Sequence, residues 1–147
     1  MIVIKNDTSE DFKEVIGNRL TQFNREKCQW FQDQSHICDD EYEEIPHNFI
    51  VYDEDKLIGG AIGFMKHRWY FLDLLYIDEE YRGQHIGTKI LKQIEELAKR
   101  EKLVGIRMET WNFQARGFYE KNGYTVYGEI KDCPPGTIDY FLKKEIL

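Results

Sequence analysis

The chain lacks the features that mark disulfide-rich, membrane and metal-binding proteins. Its three cysteines, Cys28, Cys38 and Cys133, form no Cys-x-x-Cys pair, so we expect reduced thiols. Its four histidines show no metal-ligand spacing, and we expect no metal site. No apolar run approaches the ~20 residues of a membrane span, and residues 1–5 are too short for the apolar core of a signal peptide. We therefore expect a cytoplasmic protein with no membrane partner.

Clusters of basic residues are also missing. The net charge is −7 and the pI is about 5.1, which argues against a nucleic-acid partner. Acidic residues concentrate between positions 33 and 44, where the chain has Asp33, Asp39, Asp40, Glu41, Glu43 and Glu44. This segment is either a solvated loop or a negative rim that attracts a cationic amine substrate.

The length of the chain predicts a single domain over residues 1–147. A chain of 147 residues can bury roughly two thirds of its unfolded surface. Its contents of 41% hydrophobic and 32% charged residues are ordinary for a globular protein, so disorder is not expected.

The apolar periodicity predicts alternating strands and helices. Strands are expected at 2–4, 49–52, 57–65, 69–77, 104–108, 124–127 and 137–142. Helices are expected from about residue 8, in a second piece that includes residues 23–31, at 89–101 and at 112–121. Because a helix connects strand 69–77 to strand 104–108, these two strands should be parallel neighbours.

The central helix shows the clearest pattern. Its apolar residues form a stripe at helical spacing, comprising Ile86, Ile90, Leu91, Ile94, Leu97 and Ala98. Glu95 and Lys99 are expected to face outward as an i,i+4 ion pair.

The segment between strand 69–77 and this helix predicts an anion site. Unpaired N–H groups at a helix N-terminus attract phosphate, small residues such as Gly83 and Gly87 allow close approach, and Arg82 adds a full charge. The spacing does not fit a nucleotide P-loop, and it is a poor match to a dinucleotide fingerprint.

Two segments resemble the GNAT superfamily of N-acetyltransferases. Residues 82–87 read Arg-Gly-Gln-His-Ile-Gly and resemble the family's pyrophosphate loop, Arg/Gln-x-x-Gly-x-Gly/Ala, with His85 in place of the middle glycine. Residues 112–124 resemble the family's Asn-x-x-Ala-x-x-Phe-Tyr-Glu-Lys-x-Gly-Phe/Tyr segment. The order of predicted elements also resembles the family's order. The resemblance implies an α/β fold with a central mixed, mostly antiparallel sheet, a parallel splayed strand pair and flanking helices.

The same resemblance implies acetyl-CoA as the cofactor. It assigns the coenzyme A contacts to Leu75, Tyr76, Ile77, Arg82, Gly83, Gln84, His85, Ile86, Gly87, Thr88, Asn112 and Tyr119. Core packing remains an alternative for Leu75 and Ile77, and helix capping for Asn112. Tyr119 matches a tyrosine that commonly protonates the departing thiolate, and simple packing of its helix is the alternative.

The general base has two candidates, Asp73 and Glu109. A carboxylate among apolar neighbours has a raised pKa if it is buried, which suits it to accept a proton. Either residue could instead pair with a nearby cation, and many members of the family use a water chain.

His85 departs from the family pattern, and three interpretations compete. In the first, the position tolerates a Cβ because it already lies in the first helical turn. In the second, the imidazole binds a phosphate. In the third, the loss of glycine weakens cofactor binding. We favour the first.

The residues and the resemblance together predict an N-acetyltransferase. We expect direct attack by a primary amine in a ternary complex, with a small cationic amine as acceptor. A protein or peptide N-acetyltransferase and a non-catalytic acyl-CoA-binding module are the alternatives. The cysteines lie outside both motifs, so an acyl-enzyme has no support. Members of the family often form dimers, and a homodimer is a candidate assembly.

Overall fold

The computed structural model describes residues 1–34 and 43–147, which belong to two compact units. The first unit, Met1–Tyr42, contains helix α1 (Glu10–Lys27) and helix α2 (Gln29–Gln34). Cys28 separates the helices because its backbone adopts an extended conformation. Both expected N-terminal helical pieces are present, but the second begins at Gln29 and not at Phe23, because residues 23–27 belong to α1. The single domain over residues 1–147 stays a prediction.

The strand expected at residues 2–4 is wrong, since no strand in the described part of the chain includes them. Three apolar residues specify a strand only if a partner edge is available, and their own pattern cannot supply one.

The second unit, Glu43–Leu147, contains a seven-stranded sheet. The strands are β1 (Ile45–Pro46), β2 (Phe49–Asp53), β3 (Lys56–Lys66), β4 (Trp69–Ile77), β5 (Gly105–Trp111), β6 (Thr125–Lys131) and β7 (Ile138–Glu145). The order is β1-β3-β4-β5-β7-β6, with β2 also paired to β3. Only β4 and β5 are parallel among these pairs. The expected mixed, mostly antiparallel sheet is confirmed, and β1 is the strand that the sequence pattern missed.

Helix α3 (Ile86–Arg100) crosses from β4 to β5 and covers one face of the sheet. The predicted stripe is confirmed. Its first member, Ile86, is partly buried, and the other five are buried: Ile90, Leu91, Ile94, Leu97 and Ala98. They pack against side chains that β4, β5 and β7 contribute from the same face, including Tyr70, Leu72, Ile106, Met108 and Leu142. This layer is the core of the second unit, and it fixes the start of α3 relative to the end of β4.

The expected outward pair of Glu95 and Lys99 is wrong. The carboxylate of Glu95 contacts the ammonium of Lys144 from β7, and the same ammonium donates a hydrogen bond to the carbonyl oxygen of Asn122 at 3.0 Å. A partner brought close by the fold displaces the local partner, since exposed i,i+4 pairs contribute only about 0.3–0.5 kcal/mol.

Helix α4 (Arg116–Lys121) is shorter than expected. Residues 112–115 form a turn instead, which the side chain of Gln114 ties to the end of β5. Its Oε1 accepts hydrogen bonds from Trp111 N–H at 2.8 Å and from Thr110 Oγ1 at 3.2 Å. Thr110 Oγ1 in turn accepts from Ala115 N–H at 3.3 Å. These side-chain bonds satisfy the backbone without a helix.

Across the described residues, no helix is long and apolar enough to cross a membrane.

Candidate active site

Strands β4 and β5 separate part-way along their length. They pair from Trp69 with Gly105 to Leu72 with Met108, and no pairing follows. Beyond that point β4 stays paired with β3, and β5 stays paired with β7. The gap begins at Asp73, an extra residue in β4 where the register with β3 shifts. Because a bulge of this kind bends its strand, it opens a cleft between two strands of one sheet.

The far end of β4 directs backbone groups into this cleft. The N–H of Asp78 donates to the carbonyl oxygen of Ile58 at 2.8 Å. In an antiparallel ladder, every second residue forms hydrogen bonds with the neighbouring strand. The backbone groups of Tyr76 are therefore bonded to β3, whereas those of Leu75 and Ile77 point away from β3, into the cleft. The carbonyl oxygen of Ile77 confirms this orientation, because it accepts a hydrogen bond from Arg82 Nε at 2.9 Å.

The loop that follows β4 exposes the start of α3. The N–H groups of Ile86, Gly87 and Thr88 have no acceptor among the described residues, and the first bond of the helix runs from Lys89 N–H to the carbonyl oxygen of His85, at 3.0 Å. Free N–H groups of this kind bind phosphate.

His85 does not lie in the first helical turn, contrary to our preferred interpretation. It precedes α3 with φ 61° and ψ 22°, in the left-handed region. Glycine adopts this conformation without a steric penalty, and histidine is among the other residues enriched there. The family's glycine and this histidine therefore meet the same backbone requirement.

Gly87 is needed for packing between helices. A Cβ at this position would lie 2.9 Å from Cζ of Phe118 in α4, which is too close. The residue therefore lets α4, which carries Tyr119, approach the start of α3.

An open cleft of about 1320 Å³ joins these features. Twelve residues singled out from the sequence line it: Asp73, Leu75, Tyr76, Ile77, Arg82, Gly83, His85, Ile86, Gly87, Thr88, Glu109 and Tyr119. Gln84 and Asn112 are not among the lining residues. Asn112 instead pairs with Ile138, donating its N–H at 2.9 Å and accepting through Oδ1 at 3.0 Å.

Three carboxyl groups lie in the cleft, on three strands: Asp73 on β4, Glu109 on β5 and Asp139 on β7. Loss of solvent raises the pKa of Glu109, and the charge of Asp139 and a hydrogen bond to its carboxyl raise it further. Asp73 adds a smaller upward effect, while Arg107 lowers this pKa. Within the described residues, no group of three or more His, Cys, Asp or Glu side chains could hold a metal ion.

Asp139 was missed by the sequence analysis. It lies in no motif, and only the pairing of β5 with β7 brings it near Glu109. One signal could have marked it: Asp139 is an acidic residue in a strand whose neighbouring residues, Ile138, Tyr140, Phe141 and Leu142, are all apolar or aromatic.

Comparison with known proteins agrees with this geometry. The model of a family described as "Acetyltransferase (GNAT) family" matches residues 10–124. The chain belongs to the GNAT acetyltransferase family. It is accordingly an acetyl-CoA-dependent acyltransferase, as the resemblance predicted.

Individual relatives support the assignment. A blasticidin-S acetyltransferase from Streptomyces morookaense is 35% identical over 104 residues, which are 70% of this chain and 76% of that protein. A 1.9 Å crystal structure of an acetyltransferase from Bacillus cereus ATCC 14579 is 31% identical, with a TM-score of 0.76 over 98% of this chain and 97% of that one. An aminoglycoside 6′-N-acetyltransferase complexed with coenzyme A shares the fold alone, at 16% identity and a TM-score of 0.63 over 90% and 92% of the two chains.

In this GNAT acetyltransferase, Tyr119 is a buried phenol in the wall of the cleft, with 6% of its surface exposed. Its ring lies 5.3 Å from that of Phe118 and 6.0 Å from that of Tyr124. Burial raises the pKa of Tyr119 to about 12. The phenol therefore remains protonated, and able to donate a hydrogen bond, at any physiological pH.

Two aromatic rings form a flat wall beside the carboxyl groups. Trp111 and Phe113 stack with centroids 5.7 Å apart and an interplanar angle of 17°. Both line the cleft, and the indole N–H of Trp111 donates to the carbonyl oxygen of Cys133 at 2.8 Å. This bond holds the indole in place, so that a ligand can contact a fixed surface.

The acidic segment predicted as a substrate rim falls largely outside the described residues, which do not include Asp39, Asp40 and Glu41. Of its described members, Glu44 lies 3.6 Å from the ammonium of Lys66, and Asp33 accepts a hydrogen bond from Gln29 at 2.8 Å.

Proposed function

We propose that this chain transfers the acetyl group of acetyl-CoA to the primary amine of a small cationic acceptor, by direct attack in a ternary complex. The observation that carries this proposal is the composition of the cleft. One cleft holds the free helix N-terminus, a protonated phenol, three carboxyl groups and a flat aromatic wall.

Anchoring of the cofactor falls to the backbone. We assign the pyrophosphate to the N–H groups of Ile86, Gly87 and Thr88, with the charge of Arg82 beside them. The free backbone of Leu75 is suited to pair with the pantetheine arm and to polarise the thioester carbonyl. We leave Asn112 out of these contacts, because its amide oxygen already accepts a hydrogen bond from Ile138.

The proton transfers fall to two side chains. When bound, acetyl-CoA supplies the acetyl group as a thioester and departs as a thiol. Glu109 accepts the proton that the acceptor ammonium must lose before its nitrogen can attack, and its raised pKa makes it a stronger base than an ordinary glutamate.

Tyr119 acts on the departing sulfur. Because the pKa of Tyr119 is raised to about 12, its phenol is a weaker acid than a thiol, and full proton transfer to the free thiolate is unfavourable. We therefore assign to Tyr119 a hydrogen bond that stabilises the thiolate as the C–S bond breaks, while the second proton of the attacking nitrogen completes the thiol.

The acceptor is chosen by charge and shape. Asp73 and the pair of Glu109 and Asp139 favour a cation, and the rings of Trp111 and Phe113 favour a flat or cationic group stacked on them. The similarity to a blasticidin-S acetyltransferase supports a small-molecule acceptor of this kind.

An acetylation screen tests the proposal by following release of free thiol from acetyl-CoA. The panel contains small di- and tricationic amines, matched neutral amines, and peptides with a free N-terminus or lysine. We expect turnover of the small cationic amines, with a KM that rises with salt. Turnover of peptides alone would establish the peptide alternative, and binding of acetyl-CoA without turnover of any amine would establish a binding module.

A charge-removing variant sharpens the screen. Asp73→Asn should raise KM for cationic amines by about threefold to tenfold and leave KM for neutral amines unchanged. Asp55→Asn removes an equal charge from the exposed turn between β2 and β3 and serves as the control.

A further inference from the structure

We propose that Asp139 is a positioning residue that acts through Glu109, so that the two facing carboxyl groups work as one proton-accepting unit. This inference rests on the proposed function, since that function makes Glu109 the base.

Strand register places the two side chains together. In the antiparallel pairing of β5 with β7, Glu109 lies opposite Phe141 and Trp111 lies opposite Asp139. Glu109 and Asp139 are therefore diagonal neighbours on one face of the sheet, a separation that a long side chain can bridge. Both side chains line the cleft, and a hydrogen bond between their carboxyls favours the protonated form of Glu109 and so raises its pKa. Such a bond requires a proton on one of the two, because an ionised carboxylate only accepts.

This arrangement favours the uptake of a proton by Glu109. While Glu109 is ionised, two like charges face each other in the cleft. A proton on Glu109 removes this repulsion and allows its carboxyl to donate a hydrogen bond to Asp139. Asp139 itself is half-buried beside Trp111, whose indole is bonded to Cys133.

The surrounding charges determine what removal of Asp139 should do. Asp73 faces Glu109 from β4, and Arg107 faces it from β5. Lys143 of β7 lies opposite Arg107, but its ammonium is paired with Glu145 at 3.0 Å. Asp139 is negative and favours the protonated form of Glu109. Neutralisation of Asp139 should therefore lower the pKa of Glu109, so that the carboxyl of Glu109 ionises at a lower pH.

Titration by ¹³C NMR of glutamate-labelled protein measures this directly and needs no acceptor. The signal of Glu109 is identified by its absence in Glu109→Gln. We expect Asp139→Asn to lower the apparent pKa of Glu109 by about 0.5 pH unit or more. Asp139→Ala, which removes the carboxyl without adding volume, should shift it in the same direction, and Asp55→Asn should not shift it. An unmoved Glu109 titration in both Asp139 variants would overturn the proposal.

The pH profile of turnover gives the second readout. Activity requires ionised Glu109, so the acidic limb of kcat/KM should move to lower pH in Asp139→Asn, by the same amount as the NMR titration. The plateau should fall about threefold, because a weaker base accepts the proton less readily. In a Glu109→Gln background, Asp139→Asn should change nothing further. A full additional loss in that background would overturn the inference.

The two arms separate this inference from the proposed function. If no amine is acetylated but the NMR titration shifts, the proposed function fails and the coupling of the two carboxyls stands. If cationic amines are acetylated but the titration does not shift, the proposed function stands and the role of Asp139 fails.

Discussion

Arg82 donates a hydrogen bond from Nε to the carbonyl oxygen of Ile77 at 2.9 Å, and so ties the phosphate-binding loop to the end of β4. The same guanidinium lies 5.3 Å from the centroid of the Tyr76 ring. These contacts fix the side chain beside the cleft, and no described residue accepts a hydrogen bond from its terminal N–H groups, which can therefore bind an anion. One residue thus connects the strand that should bind the pantetheine arm with the loop that should bind the pyrophosphate.

Removal of this side chain should weaken cofactor binding. We expect Arg82→Ala to raise the Kd for acetyl-CoA about tenfold, or about 1.4 kcal/mol, as measured by calorimetry. Arg82→Lys should recover only part of the loss, because an ammonium keeps the charge but cannot form the planar fork. Arg100→Ala, at the other end of α3, is the control. Equal affinities for Arg82→Ala and Arg100→Ala would contradict the assignment.

The hydroxyl of Tyr119 should matter for turnover and not for binding. We expect Tyr119→Phe to lower kcat tenfold or more while the Kd for acetyl-CoA changes by less than about threefold, since the ring and its packing remain. Tyr127→Phe, which changes an exposed tyrosine of β6, should have no effect. An unchanged kcat in Tyr119→Phe would reduce Tyr119 to a packing residue.

The pH dependence of turnover gives a related prediction. Because the pKa of Tyr119 is raised to about 12, its hydroxyl keeps its proton far above neutral pH. The wild-type rate should therefore show no alkaline decline attributable to this residue between about pH 8 and pH 10. A decline in that range that disappears in Tyr119→Phe would mean that the phenol ionises earlier than its burial implies.

His85 offers a test of backbone conformation. A left-handed non-glycine residue costs about 1–2 kcal/mol, and glycine adds about 0.4–1 kcal/mol of chain entropy to the unfolded state. His85→Gly should therefore leave the free energy of unfolding unchanged or raise it by up to about 1.5 kcal/mol, while acetyl-CoA affinity stays within a few fold. His85→Ala should be less stable than His85→Gly. Loss of affinity in both variants would instead assign the imidazole to a phosphate.

Gly87 and Gly117 form a matched pair of helical glycines. A Cβ at Gly87 would meet Phe118 at 2.9 Å, whereas one at Gly117 would meet nothing within 4 Å. Gly117→Ala should stabilise the protein by about 0.5–1 kcal/mol through helix propensity. Gly87→Ala should lose that gain to overpacking, which costs about 1–3 kcal/mol, and Phe118→Leu should partly rescue it. Equal effects of the two alanines in chemical denaturation would refute this contact.

The sequence by itself determined the elements that depend on near neighbours. Local periodicity and turn chemistry predicted three features: strand β4, the apolar stripe of α3 and the glycine-containing loop between them. Each of these predictions used only residues that are close together in the sequence. The left-handed conformation of His85 lay within reach of the same reasoning, because the family pattern has glycine there. Our interpretation instead placed His85 in the first helical turn, whereas α3 begins at Ile86.

Only the tertiary structure decided which side chains meet across elements. The register of β5 with β7 brings Asp139 to Glu109, the bulge at Asp73 opens the cleft, and the fold gives Glu95 to Lys144 in place of Lys99. The physical reason is that strand pairing acts between residues far apart in the chain. A shift of one residue in the pairing of β7 would turn Asp139 and Lys144 to opposite faces of the sheet from those they occupy, so these contacts exist only once the strands have paired.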